Sequence, residues 1–270
     1  MERAHISPFD HGLLVGDGVF ETMKVLDGTP FALSRHLRRL ARSLDGLGVA
    51  VPDERWLRRG IGDVLAANGA SVGRLRVTVT SGAGPLGSNR GGYHATTVLL
   101  TGPPARWPSE AAVTVAPWPR NERSPLAGLK TTSYAENVVA LARAVSLGSS
   151  EAVFANTVGA LCEGTGTNVF LAMDGVLVTP PLSAGCLAGI TRELVMESLA
   201  EAGAHRVVVE ERDVPVGALA TSAEAFLTSS TRDVQPISAV DGVALASCPG
   251  PLTSAASRAF AALVARSVDA

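Results

Sequence analysis

Residues that cross-link small folds or bind metals are scarce in this chain of 270 residues. Its three cysteines, Cys162, Cys186 and Cys248, are odd in number and lack CxxC spacing, which argues against a disulfide framework and a zinc site. The five histidines are scattered without an HxxxH pair, so we expect no metal ion.

Long apolar runs and an excess of one charge are missing too. The N-terminus from Met1 to His5 lacks the apolar core of a signal peptide, and no apolar run reaches the length of a transmembrane helix. We therefore expect a cytoplasmic protein without a membrane partner. The net charge is −2, so no strong positive field attracts nucleic acid.

What is present favours a folded protein of two domains. The chain is 46% hydrophobic and 18% charged, a composition that supports a core and excludes a disordered chain. Strands and helices follow one another without a regular βαβ rhythm, which favours an α+β fold. The proline-dense segment 103–108 predicts a boundary. We expect a small N-terminal α/β domain over 1–104, a linker with a first strand over 105–125, and a larger C-terminal domain over 126–270.

Local patterns predict several elements of these domains. Asp27-Gly28 and Asp174-Gly175 are strong hairpin turn signals, and the second predicts that 169–173 pairs with 176–179. The alternation over 74–80 predicts a half-buried strand. A helix should follow Ser34 as its N-cap, because leucines recur at helical spacing, at Leu33, Leu37, Leu40, Leu44 and Leu47.

Lysine is the scarcest of the common charged residues, with only Lys24 and Lys130 against twenty-one arginines. Unlike arginine, a lysine amine can lose its proton and attack a carbonyl. Lys130 precedes small hydroxyl residues and then an amphipathic helix, which is a suitable place for a Schiff-base lysine. The alternative is an ordinary lysine at a helix start with a solvated charge.

Glu163 lies in a glycine-rich segment, Leu161-Cys162-Glu163-Gly164-Thr165-Gly166-Thr167-Asn168, that leads into a strand. A carboxylate beside backbone that can approach a ligand closely suits a protonated ring nitrogen. The alternative is a loop carboxylate that caps its own backbone.

Three further segments contain groups that bind anions. Ile190 and Thr191 open a helix after Gly189, where free N–H groups favour an anion. Ser230 and Thr231 follow a strand end, and their hydroxyls either donate to phosphate oxygens or form an ordinary polar turn. Arg39 lies near the buried face of its predicted helix, where its fork either binds phosphate or forms a surface salt bridge.

A single cofactor, pyridoxal 5′-phosphate, would use all of these groups. It requires a lysine amine that deprotonates readily, an acid at the pyridine nitrogen, and a cup of N–H, hydroxyl and arginine groups for its phosphate. The acid keeps the ring protonated, and the protonated ring then accepts electrons from a carbanion.

The order of these motifs resembles the class IV, fold-type IV pyridoxal-phosphate enzymes. That family includes branched-chain aminotransferases, D-amino acid aminotransferases and aminodeoxychorismate lyases. The resemblance extends from about Ser7 to beyond Pro251. It follows, in order, Gly16-Asp17-Gly18-Val19-Phe20-Glu21, His36-x-x-Arg39-Leu40, Lys130, Glu163 with Asn168 and Phe170, Gly189-Ile190-Thr191-Arg192, and Ser230 with Pro236.

The resemblance implies a role for each matching residue. Lys130 would form the Schiff base and Glu163 would meet the pyridine nitrogen. Tyr134 lies where some members have an aromatic residue near the ring. The remaining cofactor-binding positions that it implies are Arg39, Asn168, Ile190, Thr191 and Ser230 or Thr231.

The resemblance also implies the two-domain fold-type IV architecture, a homodimer and a small-molecule amino substrate. Members of the family usually begin with an extra strand before the segment that matches Ile6-Ser7-Pro8-Phe9-Asp10, so we expect either a missing edge strand or a misassigned start codon here. The loop Thr80-Ser81-Gly82-Ala83-Gly84 lacks the arginine with which D-amino acid aminotransferases bind a carboxylate, which disfavours that activity.

The resemblance leaves three functions open. The favoured one is a lyase of the folate pathway that converts 4-amino-4-deoxychorismate to p-aminobenzoate and pyruvate through an external aldimine. The second is a branched-chain or D-amino acid aminotransferase, although Glu21-Thr22 in place of Glu-Gly disfavours the branched-chain enzymes. The third is a non-catalytic binding protein on the same scaffold, against which the intact Lys130 and Glu163 argue.

Overall fold

The computed structural model describes residues 4–92, 94–201 and 207–270. Its helices are α1 (His11–Leu14), α2 (Leu33–Leu47), α3 (Glu54–Asn68), α4 (Ala135–Ser146), α5 (Ile190–Glu201), α6 (Ala218–Thr221) and α7 (Pro251–Arg266). The strands of the first half are β1 (Gly18–Leu26), β2 (Thr29–Pro30), β3 (Arg74–Thr80), β4 (Thr96–Gly102) and β5 (Ala111–Val115). The later strands are β6 (Glu151–Ala155), β7 (Leu161–Gly164), β8 (Asn168–Met173), β9 (Val176–Thr179), β10 (Val209–Glu211), β11 (Ala225–Ser229), β12 (Asp233–Val240) and β13 (Val243–Ala244).

The chain forms two compact units, which are α+β in character. The first contains the residues up to Pro104, together with 129–134 and 269. The second contains 105–128, 135–268 and 270. The segment around Lys130 therefore belongs to the first unit, although the sequence on either side of it belongs to the second.

The first unit is built on an antiparallel sheet with the strand order β2-β1-β3-β4. Side chains alternate along β1 and β3, so one face carries apolar residues that pack against α2 and α3. The predicted strand 74–80 and the leucine-rich helix are confirmed as β3 and α2. The buried core of this unit includes Val19, Met23, Leu37, Leu40, Leu44, Leu57, Ile61, Leu75, Val77 and Val79.

The opposite face of this sheet carries cations. Arg76 of β3 lies opposite Thr22 of β1, and Arg74 lies opposite Lys24. Because successive side chains of a strand point to opposite faces, Arg74 and Arg76 share the face that is turned away from the leucine core.

The start of α2 differs from the prediction. The helix begins at Leu33, and Ala32 precedes it in a left-handed conformation with φ 55° and no side-chain cap. Ser34 is not the N-cap. Its N–H and hydroxyl both donate to the carboxylate of Asp269, the N–H at 2.8 Å and the hydroxyl at 2.5 Å. A carboxylate at a helix N-terminus also interacts favourably with the helix dipole, so Asp269 replaces the local cap.

Among the described residues, the second unit has a nine-stranded sheet whose main path is β10-β9-β8-β11-β12-β5-β6-β7. The predicted hairpin is confirmed, since β8 pairs with β9 around Asp174 and Gly175, both with positive φ. Helices α5 and α7 contact each other and pack on β11 and β12. The buried core includes Val113, Val153, Leu161, Val169, Leu171, Val178, Leu219, Leu227 and Ile237.

A buried carboxylate fixes the start of α7. Glu224 is 3% exposed, and its two oxygens accept the N–H groups of Leu252 at 3.0 Å and Thr253 at 2.7 Å. Within the part of the chain that the structure describes, no helix is both long enough and apolar enough to cross a membrane.

Candidate active site

The backbone around Lys130 extends the first sheet alongside the start of β1. The N–H of Phe20 donates to the carbonyl of Lys130 at 2.9 Å, and the N–H of Thr132 donates to the carbonyl of Gly18 at 2.8 Å. The N–H of Lys130 donates to the hydroxyl of Ser43 on α2 at 3.2 Å. These hydrogen bonds fix the main chain at Lys130 and Thr132, so the Cα of the lysine is held in a defined position.

The amine of Lys130 lies against an aromatic wall. Its Nζ is 4.5 Å from the ring centre of Phe20 and 6.0 Å from that of Tyr134. The two rings meet edge to face, with centres 5.2 Å apart and planes at 76°. The structure therefore brings together Lys130 and Tyr134, both of which were predicted from the sequence.

Arg39 is buried in a carboxylate network. Its Nε and Nη2 donate to the two oxygens of Glu21 at 2.7 and 2.8 Å, and Nδ1 of His36 lies 2.6 Å from the same carboxylate. The side chain of Arg39 is 6% exposed and that of Glu21 is fully buried. Glu21 therefore holds the guanidinium of Arg39 in one orientation, and its predicted contact with phosphate stays a prediction.

Charge and burial act together on this network. Burial opposes the charge of Glu21, but Arg39 and then His36 outweigh it, so the pKa of Glu21 lies well below its ordinary value of 4.5. Burial lowers the pKa of His36 below its ordinary 6.5, against the opposing effect of Glu21. His36 is therefore neutral near pH 7, and its Nδ1–H donates to Glu21.

Arg76 is a cation on the outer face of the first sheet. Its guanidinium carbon lies 3.8 Å from the ring centre of Phe20, and its Nε donates to the hydroxyl of Thr78 at 3.1 Å. Burial lowers its pKa from the ordinary 12.5, an effect that Tyr134 opposes. Among the described residues, no carboxylate forms an ion pair with Arg76, so this half-buried charge is available to an external anion.

In the second unit, Glu163 lies on β7 opposite Phe154 of β6. Its Oε2 accepts the N–H of Leu187 at 2.9 Å, and its Oε1 lies 3.5 Å from Nε of Arg120. The guanidinium carbon of Arg120 lies 4.3 Å from the ring centre of Phe154, and its Nη1 donates to Oδ1 of Asn137 at 3.0 Å. The predicted acid is thus accompanied by a fixed cation.

Asn168 and the segment before α5 form a close contact. Nδ2 of Asn168 donates to the carbonyl of Leu187 at 2.9 Å, so Leu187 is bound through its carbonyl here and through its N–H at Glu163. A Cβ added to Gly189 would lie 1.8 Å from Oδ1 of Asn168, so any larger residue there would have to displace the side chain of Asn168. The structure brings together Glu163, Asn168 and the start of α5, where Ile190 and Thr191 are buried.

Ser230 and Thr231 lie in the turn between β11 and β12, and both are half-buried. The turn follows Thr228, which pairs with Asn168 across the sheet. Within the described residues, the buried hydroxyl of Thr228 has no hydrogen-bond partner. Because unpaired buried hydroxyls are rare, this one indicates a place that a polar ligand completes.

Each unit, taken by itself, contains groups of the chemical types that bind pyridoxal phosphate. The first unit has the amine of Lys130, and the second has an acid with a cation beside it, a helix N-terminus and hydroxyl groups. Gly189 allows backbone to approach a ligand closely.

Sequence reasoning missed three participants. The alternation of Arg74 and Arg76 with apolar residues in β3 was a signal for an outward-facing cation, and it was not used. Glu21 was noted only as part of a motif, although its spacing to His36 and Arg39 allowed an ion pair. Arg120 follows a proline in an irregular segment, and no local pattern marks it.

Comparisons with known proteins agree on one family. The family described as amino-transferase class IV matches residues 18–240. The chain is 32% identical over 246 residues to a Methanocaldococcus jannaschii protein, provisionally named a branched-chain-amino-acid aminotransferase, with 88% of this chain and 84% of that protein covered. It is 30% identical over 258 residues to the aminodeoxychorismate lyase of Bacillus subtilis, with 93% and 87% covered.

Solved structures share the whole fold. The branched-chain aminotransferase of Thermoproteus uzoniensis, crystallised with norvaline, superposes with a TM-score of 0.90 at 28% identity, covering 97% of this chain and 90% of that one. A hypothetical aminotransferase of Mycobacterium tuberculosis in a PLP-bound form gives a TM-score of 0.83 at 26% identity, covering 96% and 93%. The two-unit α+β architecture is therefore the fold-type IV architecture that the motifs implied.

Proposed function

Because the chain belongs to the class IV aminotransferases, whose cofactor is pyridoxal phosphate, we propose that it converts 4-amino-4-deoxychorismate to p-aminobenzoate and pyruvate. The observation that carries the substrate class is the pairing of Lys130 and Arg76 on one aromatic ring, that of Phe20. The guanidinium of Arg76 suits a substrate carboxylate, and the amine of Lys130 suits the cofactor's aldehyde, for which a substrate amino group would compete. Likeness to the Bacillus subtilis lyase supports this reaction within that class.

The cofactor, when bound, accepts electrons from a carbon next to nitrogen, which makes that carbon's proton acidic. We assign Glu163 to its ring nitrogen, with Arg120 favouring the carboxylate form of that acid. Asn168 and Gly189 shape the backbone around Leu187. The phosphate is assigned to the N–H groups that open α5 and to Arg39, Ile190, Thr191, Ser230 and Thr231, and Tyr134 is assigned to the ring's surroundings.

Lys130 is the base of the reaction. Its Nζ takes the proton from the ring carbon that bears nitrogen, and the C–O bond to the pyruvate side chain breaks. The ring becomes aromatic, and the departing fragment gains a proton on its methylene carbon to become pyruvate. The atoms balance without water, oxidant or reductant, because one substrate yields two products.

Arg76 orients the substrate through a carboxylate. A guanidinium forms two parallel hydrogen bonds with a carboxylate, so it fixes direction as well as position. The contact with Phe20 and the hydrogen bond from Nε to Thr78 restrict where that fork lies.

A second candidate is amino-group transfer to a 2-oxo acid, which likeness to the Methanocaldococcus jannaschii and Thermoproteus uzoniensis proteins favours. It uses the same lysine, which returns the proton to a different carbon. It differs in needing a second substrate that accepts the amino group.

A paired assay distinguishes these reactions. One arm supplies aminodeoxychorismate and measures p-aminobenzoate by fluorescence and pyruvate by coupled reduction. The other supplies L- and D-amino acids with a 2-oxo acid. We expect turnover in the first arm, and turnover confined to the second arm would contradict the lyase proposal in favour of transfer.

The two lysines provide a matched control for the same assay. Lys130→Ala should abolish turnover, and it should also abolish visible absorbance that borohydride bleaches. Lys24→Ala should retain both, since the Lys24 amine lies over another ring, that of Phe31. A wild-type protein that stays colourless with added cofactor would favour a binding protein, and full activity of Lys130→Ala would refute the lysine assignment.

We also propose that the protein is a homodimer. Helix α4 exposes Val138, Val139 and Val145, each more than half exposed, and a second copy would cover such a stripe. Light scattering should give twice the chain mass of 27.7 kDa. A monomer mass across the accessible concentration range would refute this.

A further inference from the structure

Arg120 is set in place by contacts on three sides of its guanidinium. Its guanidinium carbon lies over the ring of Phe154, 4.3 Å from the ring centre. Its Nη1 donates to Oδ1 of Asn137 at 3.0 Å and lies 3.4 Å from Oε2 of Glu136. The side chain is 16% exposed, so these contacts hold it mostly out of water.

The remaining edge of Arg120 faces Glu163. Nε lies 3.5 Å from Oε1 of Glu163, which is an ion-pair distance and too long for a good hydrogen bond. Within the described residues, this buried Nε has no hydrogen-bond partner. Because buried N–H donors are nearly always paired, the arrangement leaves a donor in reserve beside the carboxylate.

The same contacts reach the loop that follows Glu163. Asn137, which holds Arg120, is 6% exposed and donates from Nδ2 to the carbonyl of Thr165. Arg120 is therefore linked to Glu163 directly by charge and to the neighbouring backbone through one amide side chain.

From this geometry we infer that Arg120 is a positioning residue that keeps Glu163 ionised and correctly oriented toward the cofactor's ring nitrogen, an inference that rests on the proposed function. A cation at this distance favours the carboxylate over the neutral acid. A neutral Glu163 would no longer favour a proton on the ring nitrogen. Arg120 thus acts on the reaction through Glu163.

The first measurement uses the cofactor-free protein. The side-chain carboxyl carbon of Glu163, identified by the loss of its resonance in Glu163→Gln, is followed by NMR against pH. Arg120→Met should raise the titration midpoint by about one to three pH units, the usual effect of one adjacent cation. An unchanged midpoint would refute the inference without affecting the proposed function.

The second measurement uses the cofactor-loaded protein in a double-mutant cycle. Arg120→Met should lower kcat about tenfold or more and shift the pH dependence of the visible absorbance. In a Glu163→Gln background the same change should have almost no further effect, because its target is gone. An equal loss in both backgrounds would show a merely structural role and overturn the inference.

Arg123 supplies the matched control. It lies three positions along the chain, its side chain is 83% exposed, and it pairs with Glu122 at 3.7 Å. Arg123→Met should leave the NMR midpoint, the absorbance and kcat unchanged, and an equal shift would show that net charge alone is responsible. Arg120→Lys keeps the charge but loses the planar fork of donors, so it should restore the midpoint in part, and no restoration would count against a charge effect. If the wild-type protein forms no borohydride-sensitive absorbance, the proposed function fails while the NMR result still stands.

Discussion

Replacing Glu21 by glutamine tests whether its buried ion pair with Arg39 stabilises the first unit. The carboxylate is fully buried and accepts two hydrogen bonds from Arg39 and one from His36. Glutamine has almost the same shape but no charge. Arg39 would therefore remain a cation in a buried place with a neutral partner, and one of its donors would meet the NH₂ group.

The expected loss is large compared with that of an exposed pair. Removing one partner of a buried ion pair costs about 3–5 kcal/mol of the free energy of unfolding. Glu54 and Arg58, on the surface of α3, form a pair whose side chains are 62% and 36% exposed. A pair of that kind contributes only about 0.3–0.5 kcal/mol, so Glu54→Gln is the control.

The pH dependence has a definite sign. The folded-state pKa of Glu21 lies below 4.5 and that of His36 below 6.5, so the unfolded chain binds more protons in both cases. The contribution of His36 to the free energy of unfolding is complete above pH 6.5 and falls as the pH drops below that value. The contribution of Glu21 to the free energy of unfolding is complete above pH 4.5 and is lost progressively as the pH falls below that value.

Urea denaturation of wild type, Glu21→Gln and Glu54→Gln, followed by circular dichroism, measures these effects. Near pH 7 we expect the midpoint for Glu21→Gln to fall well below that of the control, with a similar slope. Below 4.5 the gap in stability between Glu21→Gln and wild type should narrow, because the unfolded wild-type chain then binds a proton at this carboxyl while the folded protein keeps it ionised, which favours the unfolded state. A loss no larger than that of Glu54→Gln would refute the buried-pair reasoning.

Three further changes test other parts of the structure. Arg76→Gln should raise KM for a carboxylate substrate about tenfold or more, because a charge-assisted fork is lost. Arg74→Gln, whose parent side chain donates to the carbonyl of Pro103, should leave KM near wild type, and equal values for both variants would count against Arg76. Gly189→Ala should weaken cofactor affinity about tenfold, because its Cβ would displace Asn168, whereas Gly217→Ala, with open space around the Cβ, should not. Undiminished affinity of Gly189→Ala in a fluorescence titration would remove that cradle from the site. Glu224→Gln should lower the free energy of unfolding by about 1–2 kcal/mol, since α7 loses a charged cap, and an unchanged melting temperature would contradict the capping role.

Elements set by neighbouring residues were predictable from the sequence. The leucine spacing gave α2, and the Asp-Gly pairs gave two hairpin turns in which both residues have positive φ. The start of α2 was not predictable, because the acceptor for Ser34 is Asp269, 235 positions away. No window of local sequence contains that information.

In the candidate site, too, features set by local sequence were predictable and features set by distant residues were not. Lys130 and Glu163 were proposed from the sequence because each lies in an unusual segment. The importance of Arg120 depends on contacts with Phe154, Asn137 and Glu163, which strand pairing and helix packing bring to it. The local sequence around a single arginine in an irregular segment does not predict such contacts.

The membership of 129–134 in the first unit has a consequence for synthesis on the ribosome. When Pro104 has been made, the start of β1 still has open edge groups at Gly18 and Phe20, because their partners are Thr132 and Lys130. About 30 more residues must be added, which takes roughly 1.5–6 s at ordinary elongation rates. During that interval the start of β1 exposes an unpaired strand edge with which other chains can pair. The synthesis of residues 129–134, which include the proposed base Lys130, completes the hydrogen bonding of that edge.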